Sequence, residues 1–215
     1  MYANNETGAL LPIAEIGRVL KEHPAAYHVD AVQAIGKIPV HPEKLGIDFL
    51  SASAHKFHGP KGIGFLYASS MDFDSYLHGG DQEQKKRAGT ENIAAIVGMV
   101  SALKEDLDYQ VDYYQKLSDL KTVFLEEIAD LDYYLNESQD QLPYVLNIGF
   151  PGQKNDLLLL RLDLEGISIS TGSACTAGIV QTSHVLEAFY GPDSPRLKES
   201  VRISLSPLNT EEELK

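Results

Sequence analysis

Between Ile93 and Leu117 apolar side chains recur at helical spacing, at Ile93, Ile96, Val97, Val100, Leu103, Leu107, Val111, Tyr114 and Leu117, and the pattern continues loosely toward Ile128. Residues three and four apart share one face of a helix, and this run far exceeds the roughly 8–20 residues of an ordinary globular helix. One long or broken helix is therefore expected, linking two lobes. Upstream, Pro12, Ile13, Ile16, Val19 and Leu20 predict a helix entered through a proline and fading at Lys21–Pro24. The runs Ala26–Ala31, Ile47–Ser53 and Gly62–Ala68 are of strand length and bounded by breakers. Strands alternating with a helix make the first lobe α/β. Downstream, Tyr144–Phe150 and Ile167–Ser170 predict strands flanking a helix over Asp156–Glu165, with a further strand at Val201–Leu205. The second lobe reads as α+β, and the division falls at residues 1–110 and 111–215.

A length of 215 residues accommodates two modest domains. Hydrophobic residues at 43% and charged residues at 23% are ordinary for a packed domain and argue against disorder. Lys and Arg number 18 against 31 Asp and Glu, a net charge of −13, which disfavours broad binding to nucleic-acid phosphates or to an anionic membrane. The single cysteine, Cys175, excludes an internal disulfide, a Cys-based zinc site and full cysteine ligation of an iron–sulfur cluster within one chain. A reducing, cytoplasmic setting is expected. The apolar stretch Ile93–Leu103 falls well short of the roughly 20 residues that span a bilayer. Thr210-Glu211-Glu212-Glu213 has the capping-box spacing that opens a helix, yet only Leu214 and Lys215 follow. The polar cluster at Asn4 begins almost at once, so the chain is expected to be a fragment.

The segment Ser51-Ala52-Ser53-Ala54-His55-Lys56 is the most informative chemically. In an extended chain Ser51, Ser53 and His55 share one face, with Lys56 at the strand exit where open α/β sheets bind ligands. Two hydroxyls and an imidazole suit a phosphate, and a desolvated lysine amine can form a Schiff base with an aldehyde. The plainer reading is a strand-end lysine among solvated polar neighbours. Asp30, in His28-Val29-Asp30-Ala31-Val32-Gln33, ends another predicted strand of the same sheet. A carboxylate there would keep a pyridine nitrogen protonated; equally, it would cap the following turn. Cys175 lies in Thr171-Gly172-Ser173-Ala174-Cys175-Thr176-Ala177-Gly178, a composition of loops rather than cores, which favours a reactive thiol.

Six segments in order, Asn4-Asn5-Glu6-Thr7-Gly8, His28–Gln33, Ser53–Lys56, Arg87-Ala88-Gly89-Thr90, Thr171–Cys175 and Val201-Arg202-Ile203-Ser204, resemble those of the group I cysteine desulfurases, the NifS/IscS-like branch of the class V aminotransferase family. The resemblance implies part of the large domain of a fold-type I pyridoxal-phosphate enzyme over residues 1–110, followed by a small α+β domain carrying the cysteine loop. It implies Lys56 as the Schiff-base lysine, Asp30 as the pyridinium partner, and Gln33 and Asn5 beside the cofactor's phenolic oxygen. Ser53 and His55 match phosphate ligands, and Thr90 a residue that reaches the phosphate in the other subunit of a homodimer. Arg202 matches the clamp on the substrate carboxylate, with Asn5 near it, and Cys175 the sulfur acceptor. L-cysteine would become alanine while Cys175 carries a persulfide to an acceptor protein, for iron–sulfur cluster assembly or tRNA thiolation. Family members are close to twice this length, so low or absent isolated activity is expected. A selenocysteine lyase or another pyridoxal-phosphate lyase of this fold is one rival; a non-catalytic remnant that only dimerises or binds a partner is another.

Four weaker features carry structural expectations. His55 and His58 lack an evident third metal ligand, and Gly59-Pro60-Lys61-Gly62-Ile63-Gly64 lacks the GK[ST] ending of a phosphate loop and predicts a tight turn. The run Glu105, Asp106, Asp108, Asp112 predicts a solvated helix face, and Asp81–Arg87 a polar loop.

Overall fold

The computed structural model describes residues 1–172 and 182–215. It divides into two units, one of residues 1–2 and 12–110, the other of residues 3–11 and 111–215. No helix among the described residues is long and apolar enough to cross a membrane.

In the first unit, helix α1 (Ile13–Leu20) follows Pro12 and buries Ile13 and Gly17. Strands β1 (His28–Asp30), β2 (Phe49–Ser53) and β3 (Gly64–Ala68) form a sheet in that order, with β1 parallel and β3 antiparallel to β2. The β1–β2 register sets His28 opposite Phe49, Val29 opposite Leu50 and Asp30 opposite Ser51. Along β2, Leu50 and Ala52 are buried while Phe49, Ser51 and Ser53 are only half-buried, the period-2 alternation of a strand with one face on the core. Val29 and Leu50 pack with Ile13, Tyr27, Ala31, Ala34 and Ile47. A second cluster joins Ala52, Ala54 and Phe57 to Met99 of α2 (Ile93–Asp108).

The long helical pattern is broken. Tyr109 leaves helical dihedrals at φ −108°, ψ 11°, and α3 (Gln110–Glu127) starts afresh.

In the second unit, β4 (Tyr134–Leu135), β5 (Val145–Gly149) and β6 (Ser200–Ser204) make an antiparallel sheet with β5 central. All five β5 residues are buried. Helices α4 (Asn155–Leu164), α5 (His184–Tyr190) and α6 (Arg196–Glu199) complete it. The strand expected at Ile167–Ser170 is reduced to a single bridge between Ser170 and Arg202. The capping box forms reciprocally, Thr210 N–H donating to Glu213 Oε2 at 3.0 Å and Glu213 N–H to Thr210 Oγ1 at 3.3 Å, and opens one 3-10 turn over Glu212–Leu214.

A buried polar network crosses this sheet. Asn136 Nδ2 donates to Asn147 Oδ1 and Ser200 Oγ, each at 2.8 Å, and Asn147 Nδ2 donates to the Glu6 carbonyl at 3.1 Å. Leaving a buried donor or acceptor unmet costs about 1–3 kcal/mol each. Asn147→Leu strips Asn136 of one acceptor and Glu6 of its donor, so a loss of about 2–4 kcal/mol is expected in urea unfolding.

Candidate active site

The first unit gathers Asp30, Ser51, Ser53, His55 and Lys56 at the carboxyl ends of the two parallel strands. Asp30 closes β1, and its Oδ1 accepts the Val32 amide at 2.9 Å, so the carboxylate does cap the following turn. The Ala31 amide extends the ladder to the Ser51 carbonyl at 2.9 Å. Gln33 lies half-buried in the turn that follows. At the end of β2 the sequence expectation needs correcting: the strand stops at Ser53, and Ala54–Lys56 is a 3-10 turn rather than extended chain. His55 still meets Ser53, Oγ to Nδ1 at 2.8 Å, because the turn folds it back. Ser51 pairs with His28 instead, Oγ to Nε2 at 3.3 Å. Thr90 is exposed, at the end of a loop in which Arg87 donates to the Gly89 carbonyl at 2.8 Å and to Glu83 at 3.1 Å.

Sequence reasoning missed a charged set behind Lys56. Lys37 Nζ donates to the Lys56 carbonyl at 2.7 Å. Desolvation pushes this ammonium down to about 8, aided by Lys56 and opposed by Asp106. Asp106 corrects the expected solvated helix face, for it is 4% exposed and its Oδ1 meets His58 Nδ1 at 3.0 Å. A signal was available in Ala34-Ile35-Gly36-Lys37-Ile38, a lone charge inside an otherwise apolar run. Charged residues are seldom taken into such surroundings unless partnered.

In the second unit, Asn4 Oδ1 accepts the amides of Glu6 and Thr7 at 2.9 and 3.0 Å, an Asx turn. Gly8 completes it at φ +76°, where a Cβ would stand 3.1 Å from the Leu142 carbonyl. On β6, Arg202 sits opposite Asn147 and its Nη1 donates to the Asn5 carbonyl at 3.0 Å, so the structure brings these two expected residues together. Burial pushes the nearby Tyr144 hydroxyl far up its range, against the pull of Arg202. Glu6, also missed, is buried and its Oε2 accepts from Ser183 Oγ, which in turn caps α5 by accepting the Leu186 amide at 3.0 Å. Cys175 lies outside the described residues.

The donor set of the first unit fits pyridoxal phosphate. A hydroxyl and an imidazole 2.8 Å apart suit a phosphate, a strand-end amine suits an aldehyde, and a strand-end carboxylate suits a pyridinium. Comparison with known proteins agrees with this chemistry. The aminotransferase class-V family model matches residues 1–215, and the chain belongs to that family, whose members depend on pyridoxal phosphate. The cysteine desulfurase IscS of Dictyoglomus turgidum (strain DSM 6724 / Z-1310) is 42% identical over 218 residues, covering 100% of this chain and 55% of that protein. Among solved structures, a NifS-like protein superposes with a TM-score of 0.89 at 35% identity, over 100% of this chain and 56% of the other. SspA in complex with cysteine gives 0.79 at 33% identity, over 97% of this chain and 58% of the other. The chain thus spans little more than half the length of the curated relatives it matches.

A lysine with a depressed folded pKa favours folding increasingly as pH rises from that value toward the unfolded one, because the unfolded chain then holds the extra proton. Between pH 8 and 10.5 the native chain is therefore expected to gain up to about 3 kcal/mol relative to Lys37→Met, read as a widening difference in denaturant midpoints.

Proposed function

We propose that this chain carries the pyridoxal-phosphate-holding and sulfur-transferring parts of a cysteine desulfurase, residues 1–110 from the large domain and residues 111–215 forming the small one. The observation that carries the reading is the register of β1 on β2, which brings Asp30 opposite Ser51 at the same strand ends as Ser53, His55 and Lys56. In open α/β sheets that end is where ligands bind. The relatives named as cysteine desulfurases and the cysteine-bound structural neighbour support L-cysteine as substrate.

In this reading Ser53 and His55 hold the phosphate, Asp30 faces the pyridine nitrogen, and Gln33 and Asn5 stand by the phenolic oxygen. Pyridoxal phosphate, when bound, supplies the electron sink that makes the α-proton of an amino acid removable. The Lys56 amine anchors the aldehyde and then takes and returns protons. Arg202 pairs with the substrate carboxylate through its planar fork. The Cys175 thiolate takes the substrate's sulfur, so that L-cysteine and Cys175–SH become alanine and a Cys175–SSH persulfide. That sulfur passes to an acceptor protein in iron–sulfur cluster assembly or tRNA thiolation, in the cytoplasm, and Thr90 serves the phosphate site of a second copy in a homodimer. The chain's share of its relatives' length favours weak turnover by the 215-residue chain alone.

Borohydride reduction in the presence of pyridoxal phosphate, followed by peptide mass spectrometry, is expected to leave a pyridoxyl group on Lys56 and none at that position in Lys56→Ala. Adducts spread over exposed lysines and absent from Lys56 would overturn the reading. With L-cysteine, any persulfide formed is expected on Cys175; Cys175→Ala keeps the Lys56 adduct and loses sulfur transfer, which separates a desulfurase from a lyase that needs no thiol.

A further inference from the structure

The chain leaving the turn that carries Lys56 is held at two successive points by side chains outside the set just described. At the close of the turn Lys37 Nζ donates to the Lys56 carbonyl at 2.7 Å. Two residues on, His58 adopts φ +63°, a left-handed conformation uncommon outside glycine, and its ring is bonded to Asp106 at 3.0 Å. Between them Phe57 is fully buried. Gly36 shows how closely these parts approach: at φ +80°, a Cβ there would stand 2.8 Å from Asp106 Oδ2 and 3.2 Å from Phe57 Cβ. Only a residue without a side chain lets the α2 carboxylate lie against the backbone that leads into Lys37. One carboxylate thus bonds His58, two residues past the carbonyl that Lys37 bonds, while its charge acts on the Lys37 cation.

We propose that Lys37 is a positioning residue for Lys56, its ammonium fixing the peptide from which the reactive amine projects, with Asp106 bonding the left-handed His58 two residues further along. The proposal rests on Lys56 being the pyridoxal-phosphate lysine and adds how that amine is aimed. Three arguments support a role beyond packing. A backbone carbonyl at the close of a 3-10 turn could be met by water, so an ammonium brought from another segment is an expensive way to satisfy it. The charge is kept although its desolvation depresses its proton affinity to about 8. Charge-assisted hydrogen bonds are also shorter and stronger than neutral ones, and small misplacements of a reacting group cost rate steeply. Among the described residues, the charged groups that act on Lys37 include Asp106 of α2 and Lys56 of the turn, with His58 bonded to Asp106.

The test is timed borohydride trapping with limiting pyridoxal phosphate on the 215-residue chain, scored as the ratio of adduct at Lys56 to adduct at exposed Lys61, from pH about 7 to about 10. The native chain is expected to show an inflection in this ratio near pH 8, where Lys37 loses its charge. Lys37→Met is expected to lower the ratio on the order of tenfold below pH 8 and to abolish the inflection. Asp106→Asn keeps an acceptor for His58 but removes the charge that opposes Lys37 deprotonation, so the inflection is expected at lower pH. A native ratio and profile in Lys37→Met overturns the proposal. Should that variant fail to fold, an unmoved inflection in Asp106→Asn overturns it equally. Absence of any Lys56 adduct in the native chain overturns the functional reading, and this proposal with it.

Discussion

Three residue pairs hold the first unit's chemistry together: His28 with Phe49, Val29 with Leu50 and Asp30 with Ser51, in parallel register. Parallel strands cannot be joined by a tight turn, so residues 31–48 must cross over before β2 begins. Their ladder runs to the last position, the Ala31 amide still reaching the Ser51 carbonyl. Val29 and Leu50 are each 1% exposed, and their burial is what forbids a slip by one residue, which would turn Asp30 and Ser51 onto the opposite face. Given that register, the chain leaves the sheet twice at the same edge, once through an Asp-capped turn and once through a 3-10 turn. The polar residues at those two exits are then neighbours by necessity.

The second unit solves a different problem. Its central strand is buried along its whole length yet contains Asn147, and the cost of that amide is met by giving each of its polar atoms a partner. One partner is the Glu6 carbonyl, which ties the Asx turn of Asn4–Gly8 to the middle of the sheet. The same β5–β6 register places Arg202 beside that turn, where it bonds the Asn5 carbonyl. The polar network and the guanidinium site are therefore consequences of one antiparallel register. Tyr134 belongs to the same surroundings: its ring lies under the Arg196 guanidinium, 4.1 Å from the ring centre, and burial together with its bond to Glu199 pushes its hydroxyl up to about 12.

Where a single local rule decides, the sequence was readable. Period-2 alternation located β2, helical spacing located α1, α2 and α4, and Thr210 with Glu213 announced a capping box that forms in both directions. Asp30, Ser53, His55 and Lys56 were legible because strand ends and turn chemistry are local. What escaped notice depends on distant segments. Asp106 carries the same signature as the solvated acids around it, and only its position against Gly36 and His58, 70 and 48 residues away, makes it interior. The strand expected at Ile167–Ser170 has the right composition but bridges Arg202 at one residue only. His55 was assigned to Ser53 for the wrong geometric reason, since extended alternation and a folded-back turn both bring residue i near residue i+2, while Ser51, expected to join them, bonds His28 instead.

Lys37 and Asp106 bear on the chemistry through the free energy they cost. A half-buried cation near a buried carboxylate is seldom a net source of stability, because desolvation offsets much of the attraction, and well-packed apolar residues often replace such a pair without loss. Met at position 37 would fit an apolar run of Ala34, Ile35 and Ile38, but on its own it would leave the buried Asp106 carboxylate without that neighbouring charge. A chain selected for stability alone would more simply replace both residues by packed apolar ones. Local violations of the burial rules are expected where structure serves a site, and this one touches the Lys56 peptide directly. On the proposed reading of Lys56, the charge is better explained by the orientation of that amine than by the folding of the unit that contains it.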